Sequence, residues 1–213
     1  MDFSSIDKLL DQCAANVAPS TMAAIIRVES GGNPWAIGDN TTKSRVVPTP
    51  KSAEEAISIA TILINKGHNL DLGLSQINSD NLKKYKVSVR EIFDPCTNVK
   101  VGSTILSRFY AKSVAKYGEG ERSLFHALSA YNTGSFYRGP TYVAKILKAA
   151  GSSASISSVS WKQPATTQTT SQVASRSSKY NAYNSPIISI GYAETLDGKM
   201  VKANEIIPIY ESY

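Results

Sequence analysis

From residue 4 to residue 151 the apolar side chains recur mainly at i, i+3, i+4 and i+7, the spacing of amphipathic helices. Residues 4–15 place Ile6, Leu9, Leu10 and Cys13 on one face. A second helix is predicted from Ser20, a good N-cap preceded by Pro19, to the break at Gly31-Gly32, with Pro34 beyond it. Residues 36–51 have Gly, Asn, Thr and Pro around the single strand-like pair Val46-Val47, and read as an irregular loop or small hairpin. Ser52 with Glu55 forms a capping-box pattern, and Ala56, Ile59, Ala60, Leu63 and Ile64 give the following stripe up to Gly67. After a turn-rich segment from Asn69 to Asn78, Ser88 with Glu91 repeats the box on a short helix. Asp94-Pro95 then opens a long helix lined by Val101, Ile105, Leu106, Phe109 and Val114, ending near Gly118. Glu121 to Asn132 is built on Leu124, Phe125, Leu128 and Tyr131, and Pro140 opens a last helix through Tyr142, Val143, Ile146 and Leu147 to Gly151.

One position breaks this pattern. Met22, Ile25 and Ile26 form a stripe whose next member, at i+7, is Glu29. A carboxylate thus stands where a Leu or Ile is expected. Burial without a paired cation raises a carboxyl pKa, and a carboxyl kept protonated near neutral pH can act as a general acid. The same residue could equally sit at a frayed helix end or pair with Arg27.

Beyond Gly151 the pattern lapses. Residues 152–185 are rich in Ser, Thr, Gln and Ala, the composition of a flexible linker. Apolar content recovers over residues 186–213, where PIISIGY and EIIPIY read as short strands or docking segments. The chain is thus expected to be one helical domain over residues 1–151, with a C-terminal extension of linker and tail.

Composition adds modest limits. At 42% hydrophobic and 19% charged residues the chain reads as globular. No apolar run approaches the ~20 residues that span a bilayer, so no transmembrane segment is expected. Of the net charge of +6, most lies in residues 1–150, with 18 basic and 13 acidic side chains. These bases are scattered, which suits an anionic surface or polymer but does not favour nucleic acid. Cys13 and Cys96 match no zinc or redox spacing, and their separation leaves a disulfide and two buried free thiols equally open. His68 and His126 are isolated and read as surface or core residues, so neither a metal nor a cofactor is expected. MDFSSIDKLL lacks the basic start and apolar stretch of a signal peptide, which fits a cytoplasmic protein or a processed chain.

Three short motifs occur in order with roughly 40 to 55 residues between them: ES at Glu29-Ser30, GLSQIN from Gly73 to Asn78, and AYNTG from Ala130 to Gly134. Together, over about residues 5 to 150, they resemble the lytic transglycosylase family of lysozyme-like fold, whose signature is ES, GLMQI and AYNAG. Domain size, the two cysteines and the polar extension are most similar to the small transglycosylases of type IV secretion systems. The resemblance implies a mainly α, lysozyme-like domain with a small irregular or β element. It implies that Glu29 is the catalytic acid, with Ser30, Gln76, Asn78, Tyr131, Asn132 and Tyr142 around the substrate. Ser75 departs from the family's Met, which is expected to alter the grip on a sugar ring.

The implied substrate is the peptidoglycan glycan strand, cut between MurNAc and GlcNAc to leave a 1,6-anhydro sugar. That substrate places the chain in the periplasm or cell envelope with any signal peptide removed, and residues 152–213 become candidates for contacts with secretion-system subunits. A glycosidase normally needs a second carboxylate unless a 2-acetamido group on the substrate takes its place. Asp39 and Asp71 are the nearest candidates, but their Gly- and Asn-rich surroundings predict ordinary loop aspartates. Gln76 is expected to hold the acetamido carbonyl, and Trp35, Tyr131, Phe136 and Tyr137 are candidate sugar platforms that also suit plain packing. Alternatives to the transglycosylase are a lysozyme-type hydrolase, which needs water and a second carboxylate, and a wall-binding assembly factor with secondary catalysis.

Overall fold

The apolar stripes of several helices have to cover one another, and in the computed structural model they do so around one long helix. The structure describes residues 1–14, 16–163, 192–194 and 200–202. Helix α1 (Phe3–Cys13) is capped by Asp2 and precedes α2 (Pro19–Glu29). A four-stranded antiparallel sheet follows, formed by β1 (Ile37–Asp39), β2 (Ser44–Arg45), β3 (Leu70–Leu72) and β4 (Ile77–Asn78), with α3 (Ala53–Asn65) between β2 and β3. Two short helices, α4 (Leu82–Tyr85) and α5 (Val89–Ile92), lead to the central α6 (Pro95–Tyr117). Helices α7 (Glu121–Thr133) and α8 (Pro140–Ala149) complete the domain.

The core has two parts. Ile6, Leu10, Met22, Ile25, Leu106 and Phe125 belong to a helical cluster, while Ile37, Leu70, Leu72, Ile77, Ile92 and Phe93 belong to a cluster under the sheet. Tyr131 packs against both, so the AYNTG helix sits at the seam between the two lobes. A disulfide joins Cys13 at the end of α1 to Cys96 in the first turn of α6, across 83 residues of chain.

Several local predictions are met for the stated reasons. Ser88 and Glu91 form a full capping box, Asp94 caps α6 with Pro95 in its first turn, and Gly118 stops α6. Ser52 caps α3 by accepting from the Glu55 N–H, but the Glu55 carboxylate reaches Lys51 N–H instead of closing the box.

Others are corrected. Ser20 is not the N-cap of α2: the helix begins at Pro19, with Ala18 before it and no side-chain cap. Pro has no N–H to satisfy and its φ is already helical, so it starts the helix one residue earlier. The second strand is Ser44–Arg45 rather than Val46-Val47; Val46 N–H still bonds Ile37 carbonyl, and Val47 is exposed. The turn-rich segment from Asn69 to Asn78 holds two paired strands, too short for periodicity to register. Residues 152–163, expected to begin the flexible linker, instead fold back: Val159 is buried in the helical core, and Ile156 and Trp161 pack against it. In the tail, β5 (Tyr192–Glu194) pairs with β6 (Met200–Lys202). Apart from Tyr192, the PIISIGY and EIIPIY segments lie outside the described residues, as does most of the linker.

Candidate active site

Helix α2 ends at the residue that interrupts its apolar stripe, Glu29. Ser30 N–H, Gly31 N–H and Ser30 Oγ all donate to the Ile26 carbonyl, and Ser30 Oγ also accepts from Gly32 N–H. Gly31 and Gly32 have φ of 64° and 85°, which lets the chain turn away immediately. Ser30 is thus occupied with closing the helix. Glu29, one residue earlier, is left at the edge of the helical core with its backbone carbonyl exposed to Arg45, whose Nη2 donates to it at 2.6 Å.

The Glu29 carboxyl has a close side-chain partner: Tyr142 Oη donates to Oε1 at 2.6 Å. Burial drives its pKa up from 4.5 to about 7, the Tyr142 bond pulls it back, the Asp71 charge raises it further and Arg45 lowers it. Tyr142 and Tyr131 are both pushed well above their ordinary value, by burial first and then by the Glu29 charge. The tyrosines are therefore hydrogen-bond donors around a carboxyl that exists in both protonation states near neutral pH.

The middle motif is held by an amide that the sequence reading missed. Asn98, 1% exposed on α6, accepts from Ser75 N–H at 2.7 Å and donates to the Leu72 and Ile92 carbonyls at 2.9 Å each. Its signal was a polar residue beneath the apolar face of a long helix, one turn before Val101. Tyr131 Oη donates to the Ser75 carbonyl at 2.8 Å, tying the third motif to the second. Ser75 itself is fully buried against Gly102 and is not open to a sugar ring. The expected change in sugar grip at this position is therefore not what the Ser achieves; its small size fits the contact with α6.

Gln76 adopts φ of 47°, a left-handed conformation uncommon outside Gly and concentrated at functional sites. Its Nε2 donates to the Gly73 and Ala36 carbonyls, at 2.9 and 3.2 Å. Two carbonyl partners fix which end of the amide is nitrogen. Both donors are used, so the end left for substrate is the acceptor Oε1, which lies over Gly38. That suits an acetamido N–H and not the acetamido carbonyl first expected there.

Antiparallel pairing aligns Arg45, Gly38, Asp71 and Asn78 in one row across the four strands. The neighbouring positions Ile37, Leu70, Leu72 and Ile77 point into the core, so the row lies on the opposite face. Arg45 in this row bonds to Glu29, which places the row opposite the end of α2. Asn78 donates to Asp71 Oδ1 and Asn69 Oδ1 and accepts from Asn69 Nδ2 and Asp80 N–H, so its amide is fully occupied in bracing the sheet. Asp39 faces the other way: its carboxylate meets His68 Nδ1 at 2.8 Å and caps Thr41 and Thr42. Burial pushes the Asp39 carboxyl up, but the bonds from His68, Thr42 and Thr41 outweigh it and hold the group at about 2.

The remaining candidates divide. Asn132 is exposed, one residue beyond Tyr131. Trp35 is half-buried against the sheet cluster and lines a pocket of about 290 Å³ with Gly31, Gly32, Asn33 and Pro34. Phe136 and Tyr137 are drawn into a separate aromatic group: Phe136 meets the Phe109 ring edge-on, and Tyr137 bonds Tyr117 and Lys116. At its centre His126 is fully buried, with Nδ1 against the Phe136 carbonyl. Among the described residues no three His, Cys, Asp or Glu side chains are grouped to hold a metal ion, and no helix is long and apolar enough to cross a membrane.

The family described as "Transglycosylase SLT domain" matches residues 10–141. Type IV secretion system protein virB1 of Brucella abortus biovar 1 (strain 9-941) is 44% identical over 150 residues, 67% of this chain and 62% of that protein. Protein virB1 of Agrobacterium fabrum (strain C58 / ATCC 33970) is 36% identical over 152 residues, 70% of this chain and 61% of that protein. Protein virB1 of Rhizobium radiobacter is 35% identical over 151 residues, 70% and 62% of the two chains. The alignments thus span about three fifths of the length of these relatives, 62% of the first. No solved structure matches the chain. The matched span runs from α1 into α8 and contains Glu29, Gln76 and Tyr131, and the chain belongs to the transglycosylase SLT domain family.

Proposed function

We propose that the chain is a peptidoglycan lytic transglycosylase with Glu29 as its general acid and base. The observation that carries this reading is the half-buried Glu29 carboxyl at the end of α2, pushed up to about 7 by desolvation and held by the Tyr142 hydroxyl. A carboxyl with that pKa donates and accepts protons with comparable ease at neutral pH.

In the first step Glu29 passes its proton to the glycosidic oxygen as the bond from C1 to that oxygen breaks. The GlcNAc side leaves with a free 4-hydroxyl, and positive charge develops at C1 of MurNAc, where the sugar's own acetamido oxygen can shelter it. Glu29, now a carboxylate, takes the proton from the MurNAc 6-hydroxyl. O6 then bonds to C1, closing the 1,6-anhydro ring and restoring the acid. No water is consumed. Gln76 Oε1 accepts the acetamido N–H, Tyr142 orients Glu29, and Asn132 is an exposed contact for the strand.

The virB1 relatives, one named a type IV secretion system protein, support a role in opening the wall for such a machine. The enzyme then acts in the periplasm or cell envelope, and residues 152–213 supply contacts to secretion subunits.

Mass spectrometry of fragments released from purified peptidoglycan tests the reaction. Products one water lighter than hydrolysed ends, absent with Glu29→Gln, are expected. Hydrated reducing ends from the wild-type chain would make it a hydrolase, and no release would leave it a binding protein.

A further inference from the structure

We infer that Asp71 is a second catalytic carboxylate, facing Glu29 across the sugar and stabilising the positive charge that develops at C1. The inference rests on the transglycosylase reading above and adds a residue to it. Sequence context predicts a loop aspartate, but the structure puts Asp71 in the middle of β3, an interior strand of the sheet. Its side chain belongs to the row Arg45, Gly38, Asp71 and Asn78, on the face away from the core.

The row has the form of a floor with two charged walls. Arg45 stands on β2 and reaches the Glu29 carbonyl. Gly38 on β1 carries no side chain, and a Cβ there would lie 3.0 Å from Gln76 Oε1 and 3.6 Å from Asp71 Cβ. Asp71 follows on β3. Adjacent strands lie ~4.8 Å apart, so Arg45 and Asp71 stand roughly 10 Å apart across Gly38, with Gln76 Oε1 lying over the glycine between them. The Gln76 acceptor and the Asp71 carboxylate are therefore neighbours on the sheet face away from the core, where a sugar lying on the row would meet both.

Asp71 is also held in place. Asn40 Nδ2 donates to its Oδ2 and Asn78 Nδ2 to its Oδ1, each at 2.9 Å. Each carboxylate oxygen keeps a further lone pair to accept another donor. Both asparagines are themselves anchored by Asn69. Its charge reaches both Glu29 and Tyr131, as their shifts record. A fixed negative charge facing a forming cation is the arrangement from which preorganised electrostatic catalysis draws most of its effect. The family signature provides a single acid, so this chain carries a carboxylate beyond it.

Asp71→Asn in the full chain, assayed on purified peptidoglycan, tests the inference. The expected result is a kcat about 10²-fold lower, the size of losing one preorganised electrostatic partner. KM should stay near wild type and the products should remain anhydro. The basic limb of kcat/KM should also move to lower pH, because a neighbouring negative charge no longer raises Glu29; Arg45, Tyr131 and Tyr142 are unchanged. Wild-type kcat per folded molecule, with an unmoved limb, would make Asp71 a structural residue and overturn the inference. Asp71→Asn with Asn78→Asp keeps the amide–carboxylate pair but moves the charge one strand away. It guards against misfolding of the single variant: low kcat in a folded double variant supports the inference, and recovered kcat overturns it. Failure of the underlying reading looks different, since the wild-type chain itself would then release no anhydro products.

Discussion

The Tyr142 hydroxyl donates to Glu29 Oε1 at 2.6 Å across 113 residues of chain, linking the start of α8 to the end of α2. This bond favours the charged carboxylate, whereas burial favours the acid. Tyr142→Phe therefore raises the Glu29 pKa above its value of about 7, and the basic limb of kcat/KM moves to higher pH. Loss of orientation lowers kcat about 10-fold or more. A pH–rate profile of the two proteins separates the effects; a limb that moves down would contradict the direction of the bond.

The same burial has a consequence for stability. Glu29 titrates at about 7 when folded and near 4.5 when unfolded. Between these values the folded protein binds the extra proton, so the contribution is full below pH 4.5 and is lost as pH rises through 7. Above pH 7 the charged carboxylate costs about 3 kcal/mol. Glu29→Gln should leave Tm almost unchanged at pH 4 and raise it at pH 8. Thermal melts at the two pH values would show this difference, and equal shifts at both would refute it.

Removing the Cys13–Cys96 bridge releases a tether between α1 and α6 spanning 83 residues. In the chain-entropy description a closed loop of this size contributes about 4.5 kcal/mol. Cys13→Ser with Cys96→Ser should lower denaturant stability by about that much while leaving kcat per folded molecule intact, because Glu29 is held by α2 and α8 and not by α1. Urea unfolding with a parallel activity assay checks both halves.

Gly102→Ala tests the seam between the lobes. A Cβ there would lie 2.8 Å from Ser75 Cβ and 3.2 Å from Tyr131 Oη. The helix itself gains from Ala, by about 1 kcal/mol. Crowding should nevertheless displace the Tyr131–Ser75 bond and Gln76 beside it. The expected outcome is a loss of activity of about 10-fold or more with a smaller change in Tm. Unchanged activity would show that the seam has slack.

Asn98→Leu strips three backbone groups of their partner, namely Ser75 N–H and the Leu72 and Ile92 carbonyls. Each buried group left unpaired costs about 1–3 kcal/mol, so the variant should lose at least about 3 kcal/mol. Hydrogen exchange at Ser75 should rise more than at the far end of α6; uniform change would argue against a local bracket.

Most of the helical framework and the position of Glu29 were legible in the chain itself. Helix boundaries at Asp94-Pro95, Ser88 and Gly118 depend on bonds within one turn, so local residues decide them. Glu29 was visible because it interrupts an apolar stripe on its own helix. What the chain could not display were relations carried by strands of two or three residues, where periodicity has no room to appear. Asp71 and Asp39 have similar Gly- and Asn-rich neighbourhoods, yet cross-strand pairing turns one to the sheet face away from the core and the other toward His68. The direction of the Gln76 amide, the Asn98 bracket and the burial of Ser75 likewise each depend on at least one partner 23 or more residues away. Local sequence determined which segments are helices and which carboxyl interrupts an apolar stripe. Tertiary packing decided what surrounds that acid, because burial and long-range hydrogen bonds set its pKa and no residue carries those alone.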